Sequence, residues 1–263
     1  MVVLSATFAA AQQPNNPPFD FPAHGVEPPE RTWDEENRRR LLREPRIVEK
    51  GPLAVPDQDR ITYASFLAKP KTGLIRLLPR INPRSVFTFT GERPAIKGDG
   101  AYYSFHYRSH EYGWGSDLEF SMTQVFKGTV NRITELPPQK YFSVGFAGAD
   151  FGMLANIGDV SLADLTVEDP RLAFIVAYET PSAESRARTE NKRFGQGLTI
   201  DGQTYKQRLP VQLKATYLLR SINYDLSDVL VGFHVVREES DGSLIIVWKL
   251  LKAYARPQLA RKS

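Results

Sequence analysis

The chain has 263 residues, 41% of them hydrophobic and 24% charged, with a formal net charge of +4 and a pI near 9.2. That composition is globular and can bury a substantial core, while its 34 lysines and arginines lie scattered among 30 carboxylates, which speaks against a nucleic-acid partner. Cysteine is absent, so disulfides, thiol catalysis, cysteine-bound metals and lipidation on an N-terminal cysteine are excluded.

Residues 1–11 begin MVVLSATFAAA, an apolar run ending in small residues, with Ala9 and Ala11 placed as the A-x-A of a signal-peptidase site before Gln12. The segment reads as the remnant of a secretion signal, and the expected location is secreted or periplasmic. Its positively charged start is missing, so either the true start codon lies upstream or the segment is no signal. No other apolar run approaches a membrane span, and the chain is expected not to cross one.

Residues 12–30 hold Pro14, Pro17, Pro18, Pro22, Pro28 and Pro29. Those prolines remove backbone donors and fix φ, which suits a semi-extended linker. His24 lies inside it and is a poor candidate for chemistry. Residues 31–70 form a short helical segment expected to pack on a β domain that begins at residue 71. Thr32 and Glu35 have capping-box spacing, acids fill the first turn, arginines the last, and Pro45 ends the run. Arg38, Arg39, Arg40 and Arg43 read as a solvated helix face, with the docking of an anionic assembly partner as the alternative. A second short helix is expected from Asp57 to Ala68.

Residues 71–263 change pattern to short runs of Val, Ile, Leu, Phe and Tyr separated by turn residues, as in all-β domains. Three Asp-Gly pairs, at 99–100, 201–202 and 241–242, suit tight hairpin turns. KATYLLRSINYD, DVLVGFHVVREES and SLIIVWKLLKAY predict a three-stranded meander. Its last strand is apolar on both faces around Ile245–Trp248, as when both sides are covered. The predicted fold is therefore mainly β, an antiparallel β-sandwich or a strongly curled sheet closed by the short N-terminal helices. The expected helices lie mainly before Pro70. A further strand is expected over 172–178, and the charged stretch TPSAESRARTENKRFGQG reads as a polar excursion, partly helical at best.

The stretch YYSFHYRSHEYGWGSDLEFSMT, residues 102–123, gathers two of the four histidines with three carboxylates and several aromatic rings. Strand alternation places Tyr102, His106, Arg108 and His110 on one face and, in the next run, Asp117, Glu119, Ser121 and Thr123 on one face. A two-residue turn at Gly113-Trp114 would set Arg108 opposite Glu119, His110 opposite Asp117, His106 opposite Ser121 and Tyr107 opposite Phe120. A metal site is not expected. On a strand His106 and His110 stand about 13 Å apart, too far for one ion held about 2 Å from each ring. HEYGW also lacks the second histidine of H-E-x-x-H.

Other motifs are missing too. Glycines 145, 148, 152 and 158 do not fit G-x-G-x-x-G, and there is no P-loop or G-x-S-x-G elbow, so no cofactor is expected. His234 reads as a structural histidine, and Asp225 and Asp228 as turn aspartates that could contribute to a calcium site. A polar, aromatic face remains. Tyr102, His106, Arg108, Tyr112 and Trp114 are the candidate binding residues, since exposed rings beside hydrogen-bonding groups hold sugars. The expected function is an exported non-catalytic β domain that binds a glycan or an envelope protein, or serves the envelope structurally. A secreted hydrolase with His110 as base and Asp117 or Glu119 as partner or acid is one alternative, and a subunit of an extracellular assembly another.

Overall fold

The computed structural model describes residues 51–80, 100–110, 115–129, 132–144 and 150–260, and for 124–136 the backbone alone. The signal remnant, the proline-rich linker and the expected 32–45 helix lie outside the described residues. The chain is mainly β, built from antiparallel sheets that do not close into a barrel. Among the described residues no helix is long and apolar enough to cross a membrane.

Strands β9 (Thr216–Asn223), β10 (Ser227–Glu238) and β11 (Leu244–Ala253) form the expected meander, extended by β1 (Thr72–Leu77) beside β11 and β5 (Phe151–Asn156) beside β9. This five-stranded sheet is apolar on both faces. Leu219, Val231, Phe233, Ile246 and Trp248 meet Leu118, Phe120 and Phe142 of a second sheet ordered β2 (Tyr102–Tyr103), β3 (Leu118–Thr129), β4 (Arg132–Val144) and β8 (Arg208–Pro210). Leu218, Leu230, Ile245 and Val247 instead face Leu165 of the irregular segment after β5 and Ile175, Ala187 and Phe194 of a helical layer. Each fully buried aliphatic or aromatic side chain contributes about 1.5–3 kcal/mol, so the two cores fix the three-layer order. Gly73 pairs with Trp248 across β1 and β11, and a Cβ there would sit 2.5 Å from the indole; the bare backbone lets the ring lie against the sheet.

The turns follow the Asp-Gly pairs. Asp201 (φ 49°) and Gly202 (φ 78°) join β6 (Leu198–Ile200) to β7 (Gln203–Tyr205) with both residues left-handed, as a type I′ turn requires. The β10–β11 turn closes at Gly242, whose amide donates to the Glu239 carbonyl at 2.9 Å. Asp99 lies outside the described residues.

Four expectations are corrected. The 172–178 run is not a strand: Asp169 caps a 3-10 turn over Pro170–Leu172, accepting from the Arg171 amide at 2.9 Å, and a helix continues over Ala173–Ala177. Proline in the first turn behind an aspartate cap outweighs the strand propensity of a short apolar run. The polar excursion is a 13-residue helix, Glu184–Gln196, and the longest described helix therefore lies well after Pro70. It buries only Ala187 and Phe194, two turns apart, while Glu184–Arg188 and Glu190–Arg193 pairs line its outside, so its apolar periodicity is thin. The expected 57–68 helix is two pieces, Asp57–Thr62 and Ala64–Leu67.

Candidate functional site

The 102–123 stretch is not the expected hairpin. β2 is two residues long, with Tyr102 opposite Glu119 and Tyr103 opposite Leu118, so Arg108, His110, His106 and Tyr107 have none of the cross-strand partners predicted for them. After Tyr103 the chain leaves the sheet and folds a tight loop, closed by Ser104 and Ser109, whose amides each donate to the other's carbonyl at 2.8 and 3.2 Å.

The cause is Asp117. Its carboxylate is fully buried, and one oxygen accepts from the Phe105 amide at 2.7 Å, the His106 amide at 3.2 Å and the Ser104 hydroxyl at 3.3 Å. The other oxygen accepts from Asn223 Nδ2 at 3.1 Å, at the end of β9. Burial pushes the carboxyl above the usual carboxylate range, and the hydrogen bonds pull it back. Phe105 anchors the loop in the core, edge-on to Tyr103 at 5.1 Å and to Trp248 at 5.3 Å. The extended path would have left the Asp117 charge without these donors, which is the costlier arrangement.

The candidate residues are thereby separated. His106 and Arg108 are set apart from the core, His106 exposed and edge-on to Tyr107 at 4.9 Å, Arg108 in the left-handed region at φ 56°. His110 is half-buried, its Nε2 2.9 Å from the Arg76 carbonyl, so that nitrogen carries the hydrogen and donates; its ring lies edge-on to Tyr103 at 5.3 Å. Glu119 is half-buried and paired with Arg80 at 3.1 Å, and Arg80 also bonds the Tyr102 hydroxyl. Tyr102 is buried, so its ring is no stacking platform. Tyr112 and Trp114 lie outside the described residues. Among the described residues Asp117, Glu119 and His110 each contact different partners, and no hydrogen bond or ion pair joins one of the three to another.

The other singled-out residues are structural in their contacts. His234 Nδ1 lies 2.8 Å from Thr216 Oγ1, which itself donates to the Val160 carbonyl at 2.5 Å; the imidazole hydrogen is therefore on Nδ1. Burial lowers the His234 pKa, opposed by Asp159. Asp228 is buried and holds Arg220 through both oxygens, at 3.0 and 2.9 Å, while accepting from Thr180 at 2.8 Å. Asp225 stands exposed in the β9–β10 turn. Among the described residues no group of three His, Asp or Glu is placed to hold an ion.

The Arg220–Asp228 pair is the most buried ionic contact among the described residues, each side chain about 2% exposed. Arg220 also donates to the Ile175 and Tyr178 carbonyls at 2.9 and 2.6 Å and to Thr180 Oγ1 at 3.3 Å, with the Tyr254 ring stacked at 3.8 Å. All five guanidinium donors are used, which makes the pair a clamp between sheet and helical layer and leaves nothing for a ligand. Sequence reasoning missed this clamp and the Asn223 contact, because the partners lie 45 and 106 residues apart. An aspartate just ahead of an apolar strand is a local hint of a buried turn acceptor, but nothing nearby names its donor. No protein-family model, curated protein or solved structure matches the chain.

Proposed function

We propose that the chain is an exported, non-catalytic β domain that binds a partner outside the cell, a glycan before an envelope protein, through the loop after β2. The observation that carries this reading is the loop held by Asp117. A catalytic acid or base must change protonation and reach a substrate atom. Asp117 is buried beneath the loop with its oxygens occupied, and its effect is to hold the backbone that carries His106 and Arg108. Binding groups on a loop braced by a rigid scaffold are well placed for recognition. The left-handed Arg108 costs about 1–2 kcal/mol, a local strain that the surrounding hydrogen bonds sustain. Export rests on Ala9 and Ala11 before Gln12 and on the proline-rich spacer.

A glycan array probed with wild type, Arg108→Ala, Trp114→Ala and His110→Ala, beside a hydrolase substrate panel, tests the reading. Binding should be lost in the first two variants and kept in the third, with no turnover. Turnover abolished by His110→Ala or Glu119→Ala would refute it in favour of the hydrolase. N-terminal sequencing of native protein should begin at Gln12, and an intact Met1 form in cytosol contradicts export.

A further inference from the structure

The outer face of the four-stranded sheet carries a second arrangement, apart from the 104–110 loop. Phe120 and Phe142 enter the sandwich, so their strand neighbours Ser121, Thr123, Tyr141 and Ser143 face away from it. The registers set Thr123 opposite Gln139, Ser121 opposite Tyr141, and Ser143 between Glu119 and Arg208. Arg208 lies over the Tyr141 ring with its Cζ 3.9 Å from the centroid, and its Nη2 donates to Thr123 Oγ1 at 3.2 Å.

This exposed guanidinium is held from two sides yet has no carboxylate partner among the described residues. The exposed Arg171, Arg188 and Arg193 each have one; among the described residues Arg60, Arg186 and Arg256 show none either, but only Arg208 of these is held against a ring and a hydroxyl. Four of its five N–H donors stay unspent. A restrained, exposed fork with no counter-ion among the described residues is half of a bidentate carboxylate contact, with part of the ordering cost already met by the protein.

We propose that Arg208, Tyr141 and the hydroxyl-bearing residues beside them form a subsite for a uronic-acid unit of an acidic polysaccharide. The carboxylate takes two parallel bonds from Arg208, and the sugar hydroxyls exchange bonds with Ser121, Thr123, Gln139 and Ser143. The make-up of the face selects this class. Apart from the Arg80–Glu119 pair, which cancels its own charge, the face offers one unpaired cation among neutral hydrogen-bonding groups, which matches one carboxylate among hydroxyls, whereas a nucleic acid or anionic lipid surface calls for several cations. An acidic peptide brings apolar side chains as well, and the ring that would receive them is covered by Arg208. The subsite does not depend on binding through the loop after β2.

The test is calorimetric titration of the full chain at low salt with a galacturonate oligomer, the same oligomer methyl-esterified, and a polyglutamate peptide. Wild type, Arg208→Ala, Arg208→Lys and, as a surface arginine on the 184–196 helix, Arg188→Ala are compared after thermal melts confirm equal folding, which is expected at these surface positions. Galacturonate affinity should fall about tenfold or more in Arg208→Ala, fall less in Arg208→Lys, and stay unchanged in Arg188→Ala, with the ester about tenfold weaker in wild type. The proposal is overturned by an ester that binds equally, by polyglutamate binding as tightly, by no galacturonate binding at millimolar concentration, or by affinity insensitive to Arg208→Ala. Any of these leaves the loop reading standing, because that reading is measured through Arg108 and Trp114.

Discussion

Replacing Asp117 separates its hydrogen bonds from its charge. Asp117→Ala strands the buried Phe105 amide, takes one of two acceptors from the buried Asn223 Nδ2 and frees the Ser104 hydroxyl to turn elsewhere, while the His106 amide is only partly buried and can recover water. Each buried donor left without an acceptor costs about 1–3 kcal/mol, and relief from burying a charge returns part of it, so the expected loss is about 2–4 kcal/mol. Asp117→Asn keeps an acceptor for the Phe105 and His106 amides and loses the charge. Its new amide faces Asn223, which can turn over because its other partner is the Ser221 hydroxyl, at 3.1 Å, able to donate or accept. That variant should lose no more than about 1.5 kcal/mol at neutral pH. The pH dependence has a definite sign. The folded carboxyl lies above the usual range, so between the unfolded and folded values the native state binds more protons, and stability falls as pH rises through that window. The penalty is complete above the folded value, and wild type should gain on Asp117→Asn as pH is lowered. Urea melts between about pH 4.5 and 8, tracked by tryptophan fluorescence, measure both effects. Amide exchange at residues 105–107 should quicken in Asp117→Ala. An Asp117→Ala variant within about 0.5 kcal/mol of wild type, or a wild-type-to-Asn difference that ignores pH, would refute the reasoning.

Breaking the Arg220–Asp228 clamp on one side only, by Arg220→Met or Asp228→Leu, should cost about 3–5 kcal/mol in denaturant melts, with the double variant recovering part of the loss because no buried charge is left alone. The folded His234 pKa is lowered, so the unfolded chain takes up its proton first; stability should drop as pH falls from the usual imidazole range through the folded value, and His234→Gln should flatten that slope in thermal melts. Gly202→Ala meets no atom within 4 Å, so its cost should be the backbone strain of a left-handed alanine alone, about 1 kcal/mol by urea midpoint.

How much of this molecule was legible in its sequence depends on the range of the interaction that decides each part. The meander was legible because strand alternation and Asp-Gly turns act within a few residues. The two apolar faces of β11 also announced layers on both sides, since uncovered apolar surface on either would be costly. The layer covering the second face was not legible. Its helices bury little, Ala187 and Phe194 in one case, and Ile175 in the other; the Arg220–Asp228 clamp fixes the second, and contact with the sheet places both. The candidate site was legible in composition and misread in path. Polar alternation over 102–123 fits a long hairpin as well as any local pattern can. Only the tertiary structure brings Asn223 to Asp117 and puts Phe105 against Trp248, and a buried carboxylate that needs donors outweighs the modest pair energies of a solvated sheet face.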